Sequence, residues 1–387
     1  MTVSANPEVV VREARPADAD AVVAFTRDTW GDRHEDYIPR AFPAWAASDD
    51  PDRGTFVATV ASDTLDVEGV DDRTDGDTLV EGDGYGVAPA GEPEAVVGCI
   101  QAVLLSEWEA WAQGIRVDPA ARGLGVGTTL STTALDWARD RGASVCRNMV
   151  FSWNVAGFGQ SRAVGFEPTT SFRFAEPEPA ESPSDPSTGS TTDRPAEATD
   201  RPTEATDRPT EATDRPTEAI DDPDPNAAWA FWTDGDARDH LRGLALDDDE
   251  SWACSELTRE RLREAAADGR LLAVRGSPPG VNDGDAFAGF AVRAHVSEPP
   301  GDGSDRVAVY GIAAWRDADA AGRLYESIAA DAAGVDANAA RVVIPETVEH
   351  VSDTALNRVP VSGEPDFVLS ADLTDDGVGT GDSAERP

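Results

Sequence analysis

The sequence predicts an α/β (α+β) protein in which two folded regions of similar design are joined by a disordered repeat linker. Three observations carry this reading. Short β-branched runs alternate with segments of helical apolar spacing on both sides of the chain's middle. The order helix, three strands, helix, strand, strand occurs twice. Between the two copies, residues 176–226 hold no aromatic residue and carry four near-identical heptads, TDRPAEA and then TDRPTEA three times, over residues 192–219.

The first region spans residues 8–175. Residues 9–12 form a β-branched run, and Val22, Val23, Phe25 and Trp30 have helical spacing behind an aspartate cap. Residues 55–60 read as a strand. Residues 62–94 are rich in Asp, Gly and Glu without periodicity, an acidic loop inserted in a hairpin. Strands follow at 95–105 and 111–117, the second ended by Asp118-Pro119. Leu130, Ala134, Leu135 and Trp137 define a helix over 127–139, with Gly142 behind it. A strand at 145–153, a short helix to Ala163, a turn at Gly165 and a strand at 170–174 complete the region.

Each heptad of the middle segment contains proline and no apolar a/d pair, which excludes a coiled coil and leaves an extended, charged linker over 176–226. Its repetition reads as expansion of a DNA repeat rather than as a binding array. The second region, 227–373, offers a helix (257–267), strands (271–275, 286–296, 306–314), a helix (318–333) and two strands (341–344, 367–373). Internal duplication explains the shared order, and residues 374–387 read as a disordered tail.

The 387 residues carry 74 Asp+Glu against 32 Lys+Arg, a net charge of −42. Lysine is absent, so every one of those cations is arginine. Such a chain repels phosphate backbones, which excludes nucleic acid as a partner. Carboxylates run through every segment, and this uniform acidity resembles that of cytosolic proteins from salt-accumulating halophilic archaea, where salt screens the self-repulsion. The acidity therefore speaks of environment and not of function. No apolar run reaches 18 residues, so no membrane partner is expected, and residues 1–12 lack the features of a signal peptide. Cys99, Cys146 and Cys254 have no paired spacing, which calls for neither a disulfide nor a metal and fits a cytoplasmic location.

The chemistry concentrates in Gly114-Ile115-Arg116-Val117-Asp118-Pro119-Ala120-Ala121-Arg122-Gly123-Leu124-Gly125-Val126-Gly127-Thr128. An apolar strand ends, a glycine-rich turn follows and a helix begins. Backbone N–H groups and the positive end of a helix dipole then point at one spot, which suits a pyrophosphate. With 34 Gly and 32 Arg, an Arg-x-x-Gly-x-Gly string arises by chance in roughly a quarter of such chains, so the strand–turn–helix context carries the signal. A dinucleotide fingerprint is excluded because Gly123, Gly125 and Gly127 alternate, and a Walker loop because it needs lysine.

With these residues the chain resembles the GNAT family of N-acetyltransferases, whose Arg/Gln-x-x-Gly-x-Gly/Ala loop grips the pyrophosphate of acetyl-CoA. Upstream, Val11-Arg12-Glu13-Ala14-Arg15-Pro16-Ala17-Asp18-Ala19 is similar to the family's opening strand and helix cap. Downstream, Asn154 and, after a short helix, Gly165-Phe166 resemble its second signature. The resemblance covers about residues 8–175 and implies a GNAT-like mixed sheet flanked by helices, with acetyl-CoA as cosubstrate and no metal. It implies that the backbone of Arg116 and Val117 holds pantetheine. Arg122, Gly123, Leu124, Gly125, Val126, Gly127 and Thr128 would hold phosphate, with Asn154 beside the cofactor. The implied reaction is acetyl transfer to a primary amine by direct attack, by a monomer or homodimer.

Such attack needs a base for the ammonium proton and an acid for the leaving thiolate. Many family members place a tyrosine four residues before the Gly-Phe; here that position is Ser161, a poorer acid. Glu109, which shares a strand face with Trp111 and Gln113, is the candidate base, against the bland reading that any one of 74 carboxylates is surface. Asp36 and Tyr37, in the loop after the first helix, are candidates to line the amine site. His34 reads as solvated, Cys146 as core, and Trp108, Trp111 and Trp153 as packing or groove walls. The rival reading is a non-catalytic acyl-CoA-binding or regulatory protein. The second region lacks the loop: after its third strand come Arg316-Asp317-Ala318-Asp319, whose carboxylates repel phosphate, so it reads as a degenerate GNAT-like domain.

Overall fold

The computed structural model describes residues 8–33, 35–65, 94–180, 219–276, 286–297 and 306–374. The expected acidic insertion, the heptads, His34 and the tail lie almost wholly outside the described residues. In chain order the elements are β1 (Val10–Glu13), α1 (Ala19–Thr26), α2 (Ile38–Ala46), β2 (Arg53–Ala61), β3 (Glu94–Leu104) and β4 (Glu109–Val117). There follow α3 (Val126–Asp140), β5 (Val145–Phe151), α4 (Val155–Ala163), β6 (Glu167–Ala175), α5 (Pro225–Thr233) and α6 (Asp236–Leu241). Then come β7 (Leu244–Leu246), β8 (Cys254–Glu256), α7 (Arg259–Ala267), β9 (Leu271–Gly276), β10 (Ala286–Ser297) and β11 (Val307–Trp315). The last are α8 (Ala318–Gly334), β12 (Ala339–Pro345), α9 (Val348–Leu356) and β13 (Asp366–Asp372). The fold is mixed α/β, with sheet flanked by helices.

The chain divides into two compact units. The first draws on Met1–Arg173, Arg238–Leu257 and Gly363–Pro387, and the second on Phe174–Ala237 and Thr258–Ser362. In the first unit the strand order is β1-β2-β3-β4-β5-β13-β6, antiparallel except for the β4–β5 pair. Helix α3 makes the parallel crossover, and its Leu130, Ala134 and Ala138, spaced by four, are fully buried. They pack on Phe56, Ala58 and Ile100, while Val57 and Cys99, of opposite parity, meet Val22, Ile38 and Phe42 of α1 and α2. Helix α3 and the α1–α2 pair thus cover opposite faces of the sheet.

Two placements differ from the sequence expectation. Residues 38–46, to which the sequence reading assigns no element, form α2: Pro39 sits in the first turn, where no N–H is needed, and burial of Ile38, Phe42 and Ala46 overrides Pro43 in the interior. Strand β13, expected with the second region, lies in the first unit between β5 and β6, with Leu369 opposite Asn148 and Val368 opposite Thr170. Alternating apolar residues predict a buried strand but not which strand edges receive it. Residues 238–257, carrying the β7–β8 hairpin, also join the first unit.

The second unit has strand order β12-β11-β10-β9 with α8 as its crossover. Pairing between parallel strands β11 and β12 runs from Val307↔Ala339 to Tyr310↔Val342 and stops, although β11 continues to Trp315 and β12 to Pro345. Its core includes Tyr310, Leu324, Ile328, Val342 and Ile344, and the Tyr310 hydroxyl donates to Asp331 Oδ2 at 2.7 Å.

Candidate functional site

The site begins where β4 and β5 part. Their registered pairs are Glu109↔Val145, Ala110↔Cys146 and Trp111↔Arg147; beyond these the strands run on unpaired with each other to Val117 and Phe151. A bulge in β4 assists the divergence. Between Gln101↔Gln113 and Cys99↔Arg116, two residues of β4 oppose one of β3. Gly114 adopts φ +66 there, and a Cβ on it would come within 2.6 Å of the Trp45 ring.

Between the parted strands lies a narrow cavity of about 20 Å³, room for one water. Gln113 and Ile115 of β4, Asn148 of β5, Ser131 of α3, and Gln160 and Ser161 of α4 line it. Ser161 is buried, and its Oγ accepts from Asn148 Nδ2 at 2.9 Å. Asn148 Oδ1 is buried without a hydrogen-bond partner, so a donor reaching it would relieve an unmet acceptor. Gln160 Nε2 donates to Ser131 Oγ at 3.3 Å, tying α4 to α3.

At the open end of β4 the glycine-rich turn takes a shape its sequence dictates. Asp118 Oδ1 accepts from Ala120 N at 2.8 Å and caps a 3₁₀ turn at Pro119–Ala121. Burial raises the Asp118 carboxyl above its usual range, opposed by the Ala120 N–H and by Arg122. Gly123 and Gly125 have φ of +81 and +83, and a Cβ on either would meet no atom within 4 Å. Open space therefore faces the turn. The first helical donation outside the turn runs from Thr129 N to the Gly125 carbonyl at 3.0 Å, so the N–H groups of Val126, Gly127 and Thr128 begin the helix without intrahelical acceptors. A Cβ on Gly127 would meet Gln160 Oε1 at 2.8 Å, so this glycine also permits the approach of α4. These features fit a pyrophosphate: open space, N–H donors and a helix dipole.

Other expected site residues take less direct places. Asn154 is the N-cap of α4, its Oδ1 accepting from Gly157 N at 2.9 Å. Arg116 makes a bidentate pair with buried Asp36 at 2.7 and 2.9 Å and lies over the Trp30 ring at 4.3 Å. Its side chain thus anchors the segment before α2, and only its backbone is left for a ligand. Tyr37 leaves 36% of its surface exposed, yet burial pushes its phenol up to about 12, so it keeps its proton at neutral pH. Leu124 is half-buried against the core, and Val117, at the end of β4, pairs with Gly98.

Glu109, the expected base, stands at the closed end of the strand pair and is not among the residues lining the cavity. Its buried carboxylate pairs with Arg147, accepts from Glu256 N at 3.0 Å and accepts from Ser106 Oγ at 3.3 Å. Those bonds make it an anchor for β8.

The sequence reading missed Glu250. It is buried, accepts from Gln113 Nε2 at 2.7 Å, and pairs with Arg53 at 2.6 Å. Gln113 in turn donates to Gln101 Oε1 at 2.9 Å. Within an Asp247-Asp248-Asp249-Glu250 run of an acidic chain, nothing in sequence marks this carboxylate. Asn148 had a signal: an amide in a strand whose neighbours Cys146 and Val150 are buried.

Comparison with known proteins bears on the same unit. Residues 20–157 match the acetyltransferase (GNAT) family model. A GCN5-related N-acetyltransferase from Sphaerobacter thermophilus is 14% identical, with a TM-score of 0.50 over 94% of this chain and 96% of that one. This likeness shows the fold. A PaiA N-acetyltransferase from Thermoplasma acidophilum, solved in complex with coenzyme A, is 15% identical over 42% of this chain and 91% of that one, with a TM-score of 0.30. No curated protein matches the chain.

Proposed function

We propose that this chain is an acetyl-CoA-dependent N-acetyltransferase that transfers an acetyl group to a primary amine by direct attack. The supporting observation is the meeting, in one unit, of diverging parallel strands, a glycine-rich turn with open space before it, and a polar cavity between the strands. In this reading Arg122, Gly123, Leu124, Gly125, Val126, Gly127 and Thr128 receive the pyrophosphate. The backbone of Arg116 and Val117 follows the pantetheine arm, and Asn154 fixes the start of α4 beside it.

The neutral amine nitrogen attacks the thioester carbonyl carbon, the C–N bond forms, and the C–S bond breaks to release a thiolate. The nitrogen sheds one proton, which balances the proton the thiolate takes up to leave as the CoA thiol. Asn148 Nδ2 donates to Ser161 Oγ, which leaves the hydroxyl's own hydrogen free to serve the thiolate. A serine hydroxyl is a weak acid, so this help is modest. Glu250, like Glu109, is held by an arginine and lies outside the cavity lining, but its bond to the cavity-lining Gln113 couples it to the site, and we assign it, ahead of Glu109, to orient Gln113 on the ammonium side of the reaction. The uniform acidity suits a cytoplasm of molar salt, where assays belong.

Ser161 in place of a phenol favours one second reading, a non-catalytic acyl-CoA-binding protein. Mixing the chain with acetyl-CoA and a panel of primary amines in molar KCl, and following free CoA with a thiol reagent, separates the two. Amine-dependent CoA release supports transfer. Binding of acetyl-CoA without release for every amine supports the second reading.

A further inference from the structure

One acceptor in the first unit is fixed in place and left unused. Gln113 Nε2 gives one hydrogen to Gln101 Oε1 at 2.9 Å and the other to Glu250 Oε1 at 2.7 Å. A carboxylate only accepts, so the Gln113 amide cannot be turned round. Gln101 Nε2 continues the chain to Thr55 Oγ1 at 2.9 Å. With both Nε2 hydrogens taken, Gln113 Oε1 is held in one direction and has no hydrogen-bond partner among the described residues. Unlike Asn148 Oδ1 it is not sealed off, and Gln113 lines the cavity between β4 and β5.

The support behind this oxygen is built from the β7–β8 hairpin. Between its strands, Asp247 Oδ1 accepts from Asp249 N at 3.1 Å and from Glu250 N at 3.0 Å, and Asp247 Oδ2 accepts from Ser255 Oγ at 2.6 Å. Arg53 holds the second oxygen of Glu250 at 2.6 Å. Thr55, Gln101 and Gln113 share the sheet face of Val57 and Cys99, the face that α1 and α2 cover. Ser131, Gln160 and Ser161 reach the same cavity from α3 and α4. An amine that arrives opposite the glycine-rich turn therefore meets Gln113 Oε1.

An amide oxygen accepts an N–H but does not take up a proton at neutral pH. Among the described residues the cavity lining holds only amides, hydroxyls and apolar groups. The carboxylates nearby, Glu250 beside Arg53, Glu109 beside Arg147 and Asp36 beside Arg116, all lie outside that lining. Tyr37, which feels the charges of Arg116, Asp36 and Glu250, keeps its proton. We propose, on the premise of acetyl transfer, that Gln113 Oε1 holds the attacking nitrogen through one N–H, with Glu250 fixing its direction, and that the site takes weakly basic primary amines that arrive already neutral. The surplus proton of the ammonium goes to water before attack. At pH 7 about one α-amino group in ten is neutral, against about one lysine-type ε-amino group in 2,500. The greater nucleophilicity of the more basic amine offsets part of that difference.

Release of CoA from acetyl-CoA in molar KCl tests this on the unaltered chain, with alaninamide as the α-amine and Nα-acetyl-lysinamide as the ε-amine. At pH 7 kcat/KM should be at least about tenfold higher for alaninamide, and for Nα-acetyl-lysinamide it should climb about tenfold per pH unit from pH 7 to 9. Gln113→Met, which keeps the length and removes the acceptor, should lower amine kcat/KM about tenfold while acetyl-CoA affinity by calorimetry stays within about twofold. Three results overturn the inference and leave acetyl transfer standing. They are preference for the ε-amine at pH 7, a plateau between pH 7 and 9 such as a base in contact with the ammonium produces, and unchanged amine kinetics in folded Gln113→Met. The first two need no variant. Acetyl-CoA bound with no release to either amine removes acetyl transfer itself, and this inference with it.

Discussion

Replacing Gly125 with glutamate isolates the glycine-rich turn from the rest of the protein. Gly125 sits at φ +83, where a residue with a Cβ costs about 1–2 kcal/mol. No atom lies within 4 Å of the Cβ position, so the substitution meets no protein and the chain should still fold. The new side chain enters the space assigned to the pyrophosphate. Two like charges about 4 Å apart at an effective dielectric of about 20 repel by about 4 kcal/mol. Molar salt, with a Debye length of about 3 Å, reduces this severalfold. What remains, about 1 kcal/mol, is a roughly fivefold loss of acetyl-CoA affinity. Gly125→Asn, which tolerates the left-handed backbone and carries no charge, should lose less. Titration calorimetry in molar KCl, with circular dichroism to confirm the fold, reads both. A folded Gly125→Glu chain that binds acetyl-CoA within threefold of the unaltered protein would refute the phosphate assignment.

Ser161→Ala should lower turnover by less than about tenfold without changing acetyl-CoA affinity, because a serine supplies little proton donation; a loss of 10²-fold or more in steady-state assays would make the hydroxyl a direct participant. Glu109→Gln breaks the buried pair with Arg147 and should cost about 3 kcal/mol in urea denaturation, with the stability loss exceeding any specific loss of amine turnover. Glu250→Gln should instead raise the amine KM while leaving acetyl-CoA affinity alone; the reverse pattern in the two variants would return the base to Glu109. Burial pushes the Cys99 and Cys146 thiols from 9.0 up to about 12. The folded chain keeps protons that the unfolded chain releases, so their contribution is whole below pH 9.0 and is lost as pH rises through about 12. Urea midpoints should therefore fall above pH 9, and the double variant Cys99→Ala, Cys146→Ala should show a shallower fall; an unchanged slope would contradict the assignment.

What the sequence made legible follows from what physics demands locally. The glycine-rich turn could be read because left-handed backbone at Gly123 and Gly125 admits few other residues. Helix α3 could be read because one face must be apolar at every fourth residue. Strand β13 was visible as a strand, but its place between β5 and β6 depends on pairing across about 200 residues, which no local pattern encodes. Glu250 was hidden for a similar reason: it reaches Gln113 from 137 residues away and looks like its acidic neighbours. Glu109 misled because its strand face suggested access, whereas Arg147, two residues beyond its cross-strand neighbour Val145 on β5, takes its charge. Helix α2 was obscured by two prolines, although Ile38, Phe42 and Ala46 carried the helical period.

A crystal structure of the chain with bound acetyl-CoA, grown at molar salt, tests the central claim most directly. The account predicts pyrophosphate oxygens on the backbone N–H groups of the Gly123-to-Thr128 turn and pantetheine running between β4 and β5. It also predicts the acetyl carbon beside Ser161 and Asn148, with Gln113 and Glu250 facing it. Acetyl-CoA bound in the second unit or elsewhere, or a first unit that stays without it at saturating concentration, would contradict the account.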